Sequence, residues 1–174
     1  PPEDLDDAQR RLRNRLGNIA AGRGNCADNR QSTFTAFVAQ SGDTSSSFVE
    51  LSHDFGSCVC TGLAAMNGLT VGMVALDGTV CGDGCSKAAR FVRFCDAFSL
   101  PVVTAVHADG FTSVREACKL SNAYSEATTA KTTVICGHAV GAVYIAVAGR
   151  GANADITLAW PDAVVSPLAP ATAC

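Results

Sequence analysis

The sequence predicts an α/β domain in which antiparallel strands lead into parallel ones, preceded by an N-terminal helical appendage. Three observations carry that prediction. Asn67-Gly68 separates two apolar runs, Val59–Met66 and Leu69–Leu76, and Asn-Gly between such runs is the strongest short-range hairpin signal. Val102–Val106 is a continuous apolar run of the kind buried in a parallel sheet. From that run onward a strand-turn-helix pattern occurs twice in succession, which requires crossover connections and therefore parallel strands.

Each element follows in order. Residues Asp4–Gly22 place acidic side chains before arginines, the order that suits a helix dipole, with Leu5, Leu12, Leu16 and Ile19 at near-helical spacing. A helix ending at Gly22 is predicted. Ser32–Ala39 reads as a short helix or, through Thr33, Phe34, Thr35, Phe37 and Val38, equally as a strand. Gln40–Ser47 is a polar linker, which divides the chain into an appendage, residues 1–47, and a main domain, residues 48–174. Phe48–Leu51 is the first strand of that domain and the Val59–Leu76 hairpin follows. Asp77–Cys85 is rich in glycine and reads as a loop, with Ser86 as N-cap of a helix Lys87–Phe98. On this helix Ala88, Phe91, Val92, Cys95 and Phe98 share one face, leaving Lys87, Arg90 and Arg93 towards water or a partner. Next come the strand Val102–Val106, the turn His107–Phe111, the helix Ser113–Tyr124, the strand Thr132–Cys136, the turn Gly137–Gly141 and the helix Ala142–Ala148. A short strand, Asp155–Ala159, precedes Trp160-Pro161-Asp162 and an apolar tail.

At 174 residues the chain can bury roughly two-thirds of its unfolded surface as one domain. Hydrophobic residues make up 48% and charged residues 17%, so much of the surface must be apolar or small. That suits a chain that packs against partners, or a single domain with two buried sheet faces. A net charge of −3 supplies no basic field for nucleic acid or anionic lipid. Nine cysteines could signal disulfides, metal or reduced thiols. Cys58-x-Cys60 followed by Cys81-x-x-x-Cys85 lacks the spacing of zinc knuckles, so no bound metal is expected. Cys95, Cys118 and Cys136 fall within predicted helices or a strand, where a thiol acts as a small hydrophobe. The acidic opening, Pro1-Pro-Glu-Asp-Leu-Asp-Asp7, does not resemble a secretory leader, and no apolar run approaches the ~20 residues of a membrane span. The expectation is a soluble protein of a reducing cytoplasm, without membrane insertion.

The residues that could do chemistry are few. His53, His107 and His138 are the three histidines, and no serine sits in G-x-S-x-G, so a nucleophile elbow is absent. His138 lies beside a glycine turn, and His107 and Asp109 share the other turn as a candidate dyad; a hydrogen-bonded bystander role stays open for both histidines. Gly82-Asp-Gly84 is too short for a phosphate-binding fingerprint. Glu116 and Glu126 lie on one helix and not beside the turns, which weighs against a free-standing hydratase or isomerase. What remains is the two turns, His107–Phe111 and Gly137–Val143, at the same end of neighbouring strands. Each presents backbone N–H groups, and the second, within Thr132–Tyr144, leads into a predicted helix whose N-terminus favours negative charge. Donors fixed where charge develops need no side-chain acid or base, so enolate-like chemistry is the functional reading. Close helix–sheet packing is the alternative reason for small residues there.

The chain resembles the carboxyltransferase component of biotin-dependent acyl-CoA carboxylases and related decarboxylases. The resemblance is carried by Cys60–Gly72, by Lys87–Phe98 with Pro101–Thr104, by Ala123–Thr128, by Gly137–Ile145, and by Gly151–Asp155 with Ala159–Pro161, in uninterrupted order from Phe48 to Asp162. It implies a crotonase-like ββα spiral and the C-terminal of the two such domains that this component contains. It further implies biotin on a biotin carboxyl carrier protein, an acyl-CoA substrate, an N-domain-like carboxyltransferase chain and a biotin carboxylase as partners, and an oligomer. By the same resemblance a biotin enolate is held by backbone amides. The glycine-rich oxyanion turn falls on Gly141, Ala142 and Val143, with a complementary contribution from Gly110 and Phe111. Tyr144 and Ile145 fall on the substrate and biotin pocket. Two departures are visible: Gly141-Ala-Val-Tyr144 stands where the family has Gly-Gly-Ala-Tyr, and Asp109-Gly-Phe111 where it has Pro-Gly-Phe. The same component can run in the decarboxylating direction, and an assembly subunit that has lost its site is the other implied reading.

Overall fold

The computed structural model describes residues 48–66, 68–151, 153–161 and 163–167. The predicted helix Asp4–Gly22, the segment Ser32–Ala39 and the linker lie outside these residues. A seven-stranded sheet runs in the order β1 (Val49–Leu51), β2 (Val59–Met66), β3 (Leu69–Val80), β4 (Val102–Phe111), β5 (Lys131–Val140), β6 (Ile156–Ala159), and β7 (Val164–Ser166) lies beside β5. β1, β2 and β3 pair antiparallel, whereas β4, β5, β6 and β7 are added in parallel. The outer edge of β5 is divided: Thr132–Ile135 pairs with β6, and His138–Val140 pairs with β7. The hairpin is as the sequence predicts, with Met66 opposite Leu69 and Gly68 at φ +79, a value that a two-residue turn demands.

Helices cover one face of the sheet. Helix α1 spans Gly82–Ala97 and helix α2 spans Val114–Glu126. Between them and the sheet lie Val74, Leu76, Val80, Phe91, Val92, Val102, Val106, Leu120, Tyr124 and Ile135, all buried. Tyr124 is fully enclosed, and its hydroxyl meets Thr104 Oγ1 at 2.8 Å, so its one polar atom is satisfied inside the core. Gly72 permits the closest approach, since a Cβ there would stand 2.3 Å from Cys95 Sγ. On the other face a smaller cluster of Ala64, Val71 and Met73 is partly covered by Phe48, Met66, Val103 and Ala105.

The structure corrects several sequence expectations. Asp77–Cys85 is not a loop: β3 continues to Val80 and α1 starts at Gly82, with Cys81 rather than Ser86 as N-cap. The early start is possible because Gly84 lets the helix press onto the preceding turn, where a Cβ would meet Cys58 Sγ at 2.4 Å. Lys87 does not face water. It is buried and its ammonium donates to the Val59 carbonyl at 2.8 Å, which gives one of its N–H groups a partner inside the core. Phe98, assigned to the buried face, is exposed at the helix end, its ring tilted against Phe94 at 4.9 Å between ring centres. Both predicted turns are strand: β4 runs through His107–Phe111, and β5 runs through Gly137 to Val140. The apolar tail contains β7.

Candidate functional site

The two strand ends do come together. Ala108 pairs with Ala139, which brings Gly110 and Gly141, two residues further along each strand, to the same margin of the sheet. On β4, Gly110 and Phe111 pair with Thr79 and Val80 of β3, and the Thr112 amide donates to the Val80 carbonyl at 3.0 Å. Successive amides of an extended strand point to opposite edges. Phe111 N–H is therefore directed away from β3, towards the side of β5, and Gly110 N–H towards β3. On β5, Gly141 ends the strand at φ +60, and its amide is occupied by the Ser166 carbonyl of β7 at 2.8 Å. The next two amides, of Ala142 and Val143, open a helical segment and have no carbonyl of that segment before them.

Val143 keeps φ −65, and the positive-φ non-glycine residues among those described are Ser52 and Ser99. Ala142 and Val143 therefore carry their side chains without left-handed backbone strain. Val143 is buried and anchors the turn in the core, while Ala142 is exposed. The helix expected over Ala142–Ala148 is a single π turn, Tyr144–Ala148, after one α-like step. So short a segment sums few peptide dipoles, and donor strength here comes from individual N–H groups rather than from a macrodipole. Tyr144 is half-buried against the core, and Ile145 is exposed.

Asn153 holds this turn, a role not apparent from the sequence. Its side-chain nitrogen lies 2.8 Å from the Ile145 carbonyl and 2.7 Å from that of Ala146, and its oxygen accepts from Ser125 Oγ at 2.6 Å. The signal available was Gly151-Ala-Asn-Ala-Asp155, a polar pair between small residues. Its second member, Asp155, accepts from the Lys131 amide at 2.7 Å and fixes the start of β5.

The histidines take partners different from those expected. His107 and Asp109 do not form a dyad. His107 lies opposite Asp77 in the sheet register, with Nδ1 3.4 Å from its carboxylate, and His138 Nδ1 lies 2.6 Å from Asp109 Oδ1. The two imidazoles meet edge to face at 5.7 Å. Gly137 makes room for them, because a Cβ there would touch His107 Cδ2 at 2.4 Å. The Asp109 carboxylate on Nδ1 fixes the orientation of the His138 ring. His53 pairs with Glu50, away from both strand ends. Among the described residues no group of three or more His, Cys, Asp or Glu is arranged to hold a metal. Cys58 and Cys81 adjoin, whereas Cys60, the next residue along β2 from Val59, lies beside Glu50, so the four thiols considered for zinc do not converge.

A mixed sheet with helices on one face places the chain in the α/β class, and its fold is similar to that of carboxyltransferase structures. The fold matches the transcarboxylase 12S structure, solved as a hexamer with hydrolysed methylmalonyl-coenzyme A bound, with a TM-score of 0.64 and 33% identity over 70% of this chain and 27% of that one. It also matches the β subunit of P. aeruginosa geranyl-CoA carboxylase, with a TM-score of 0.72 over 80% of this chain and 29% of that one; at 24% identity this likeness concerns the fold alone. The chain belongs to the carboxyl transferase domain family, whose match covers residues 26–174. The propionyl-CoA carboxylase β chain of Cereibacter sphaeroides is 39% identical over 133 residues, 68% of this chain and 26% of that protein. The methylmalonyl-CoA decarboxylase α subunit of Propionigenium modestum is 34% identical over 140 residues, 72% of this chain and 27% of that protein. The chain thus spans about a quarter of the length of the curated relatives it matches.

Proposed function

We propose that this chain is a carboxyltransferase subunit of a biotin-dependent acyl-CoA carboxylase, with residues 48–174 forming a crotonase-like C-domain that acts with partner chains in the cytoplasm. The observation that carries the reading is the pairing of Ala108 with Ala139, which sets the ends of β4 and β5 at one margin of the sheet. Backbone amides at such strand ends suit an oxygen that gains negative charge, and preorganised donors of this kind stabilise such charge without moving. Biotin, carried by a partner, would supply the carboxyl group, and an acyl-CoA would accept it. Within this chain Phe111, Ala142 and Val143 hold the charged oxygen, Gly110 and Gly141 shape the two strand ends, and Tyr144 and Ile145 border the pocket. The likeness to the Propionigenium modestum decarboxylase subunit supports a second reading, the same transfer run towards decarboxylation.

The test is carboxyl exchange in the assembled complex. Ala142→Pro removes one donor and is expected to lower exchange by about a hundredfold or more, the usual effect of losing one oxyanion donor, with the far-UV spectrum unchanged. Full exchange in a folded variant would overturn the assignment, and a wild-type complex without exchange would mark the chain as an assembly subunit.

A further inference from the structure

We infer that Cys58 and Cys81 are a redox-active thiol pair that closes to an intramolecular disulfide when a hydroperoxide reaches it. The two sulfurs lie 2.9 Å apart at the base of the β2–β3 hairpin, in the turn before β2 and in the residue after β3. A disulfide needs about 2.05 Å, so closure asks for a shift of less than about one ångström between two residues outside regular structure. Both thiols are only half-buried and neither is sealed in the core.

The backbone distinguishes their roles. Cys81 is the N-cap of the sixteen-residue helix α1, and its sulfur accepts from the Gly84 amide at 3.4 Å. The hydrogen bond with Cys58, and after it the amides at the helix start, lower the Cys81 pKa. Burial raises that of Cys58, whose sulfur accepts from the Cys81 amide at 3.2 Å. Burial also pushes Cys60, Cys85 and Cys136 up to about 12 and Cys95 up to about 11, which keeps them protonated and inert. Cys81 is thus the attacking thiolate and Cys58 the resolving thiol.

The chemistry balances with a hydroperoxide as oxidant. The Cys81 thiolate attacks the peroxide oxygen; an S–O bond forms, the O–O bond breaks, and the leaving oxygen takes a proton. Cys58 then gives up its proton and attacks the Cys81 sulfur; an S–S bond forms, the S–O bond breaks, and water leaves. The two thiols supply two electrons and the peroxide is reduced. An external dithiol reverses the link by exchange.

Peptide mapping of the full chain tests this without any variant. After one equivalent of hydrogen peroxide at neutral pH and alkylation, cleavage before aspartate separates Cys58, in residues 54–76, from Cys81, in residues 77–82, and from Cys85, in residues 83–95. The expected product is a crosslink between the first two peptides, assigned to Cys58 by fragmentation. It should form more than about tenfold faster than Cys95 or Cys136 is oxidised, and dithiothreitol should reverse it. Cys60→Ser and Cys85→Ser keep the link, whereas Cys58→Ser leaves Cys81 as a trappable sulfenic acid. Alkylatable Cys58 and Cys81 after peroxide, or a link from Cys81 to Cys85, would overturn the inference.

Discussion

Gly141 occupies a left-handed conformation, φ +60, with open space where a side chain would stand. Replacement by alanine meets no neighbour, so its cost is backbone strain of about 1–2 kcal/mol. Gly141→Ala is therefore expected to unfold at lower denaturant concentration with an unchanged slope, and to turn the Ala142 and Val143 amides away from their present direction. Asn153 sets the same turn from the far side. Asn153→Ala leaves the Ile145 and Ala146 carbonyls and the Ser125 hydroxyl without their present partner, a loss of about 1–3 kcal/mol for a buried site. Urea unfolding checks both values. The small residues of the turn were visible in the sequence, but glycine after the apolar run suggested that the strand stops at Cys136, whereas β5 continues through Gly137 to Val140. The Asn153 contact was not visible, since it depends on a chain reversal that places residue 153 beside residue 145. The histidine pairs failed for a related reason. His107 and Asp109 are two apart on one strand and so share a face, but each finds its partner across the sheet, and the register of β3 and β5 determines which.

At the scale of elements, strand cores and the hairpin were legible through apolar runs and Asn67-Gly68, while strand ends were not. Gly78, Asp109, Gly137 and His138 read as turn residues, yet parallel neighbours pair their backbones and shifts of register at Gly78/Thr79 and Val106/Ala108 absorb the irregularity. The start of α1 was misplaced because Gly82-Asp-Gly84 has low helix propensity, which tight packing on Cys58 and Val59 overrides. The α1–sheet contact offers a test of packing. Gly72→Ala should cost about 1–3 kcal/mol through overpacking against Cys95 and Phe91. Combined with Cys95→Ala it should cost less than the sum of the two single changes, and a double-mutant cycle by chemical unfolding measures that coupling. A second test concerns the α2–β5 connection, tied to α1 by Asp96. Its carboxylate accepts from the Thr128 amide at 2.7 Å and the Thr129 amide at 3.0 Å, which lower its pKa from the ordinary 3.8, the Thr128 bond foremost. A depressed folded pKa adds stability above the unfolded value and loses it as pH falls through the folded one. The stability difference between the chain and Asp96→Asn should thus be full near neutral pH and shrink below 3.8. Parallel urea titrations at neutral and acidic pH decide the point.

At the scale of the whole molecule, among the described residues, one face of the sheet is covered by helices and the other carries a smaller apolar cluster. Along the edge of β5 formed by β6 and β7, Ile156 is 53% exposed, Leu158 40%, Val164 44% and Val165 41%, and Ile145, beyond the end of β5, is 58% exposed. Large aliphatic side chains gathered at one margin signal an interface more strongly than the same residues scattered over a surface. The low charge content suits a chain that packs against others or a domain with two buried sheet faces, and the exposed aliphatic edge along β6 and β7 is the margin on which the first reading is tested. Purified from its native source, the chain is therefore expected in a particle much heavier than its own 17.8 kDa, with a biotinylated polypeptide and an N-domain-like carboxyltransferase chain among its companions. Light scattering gives the mass and streptavidin blotting finds the biotin. Leu158→Asp or Val165→Asp should release the chain from that particle while leaving its fold intact, because both side chains already meet solvent in the isolated domain. Retention of these variants in the particle would move the interface to another face, and a particle without biotin would remove the support for the carboxyltransferase assignment.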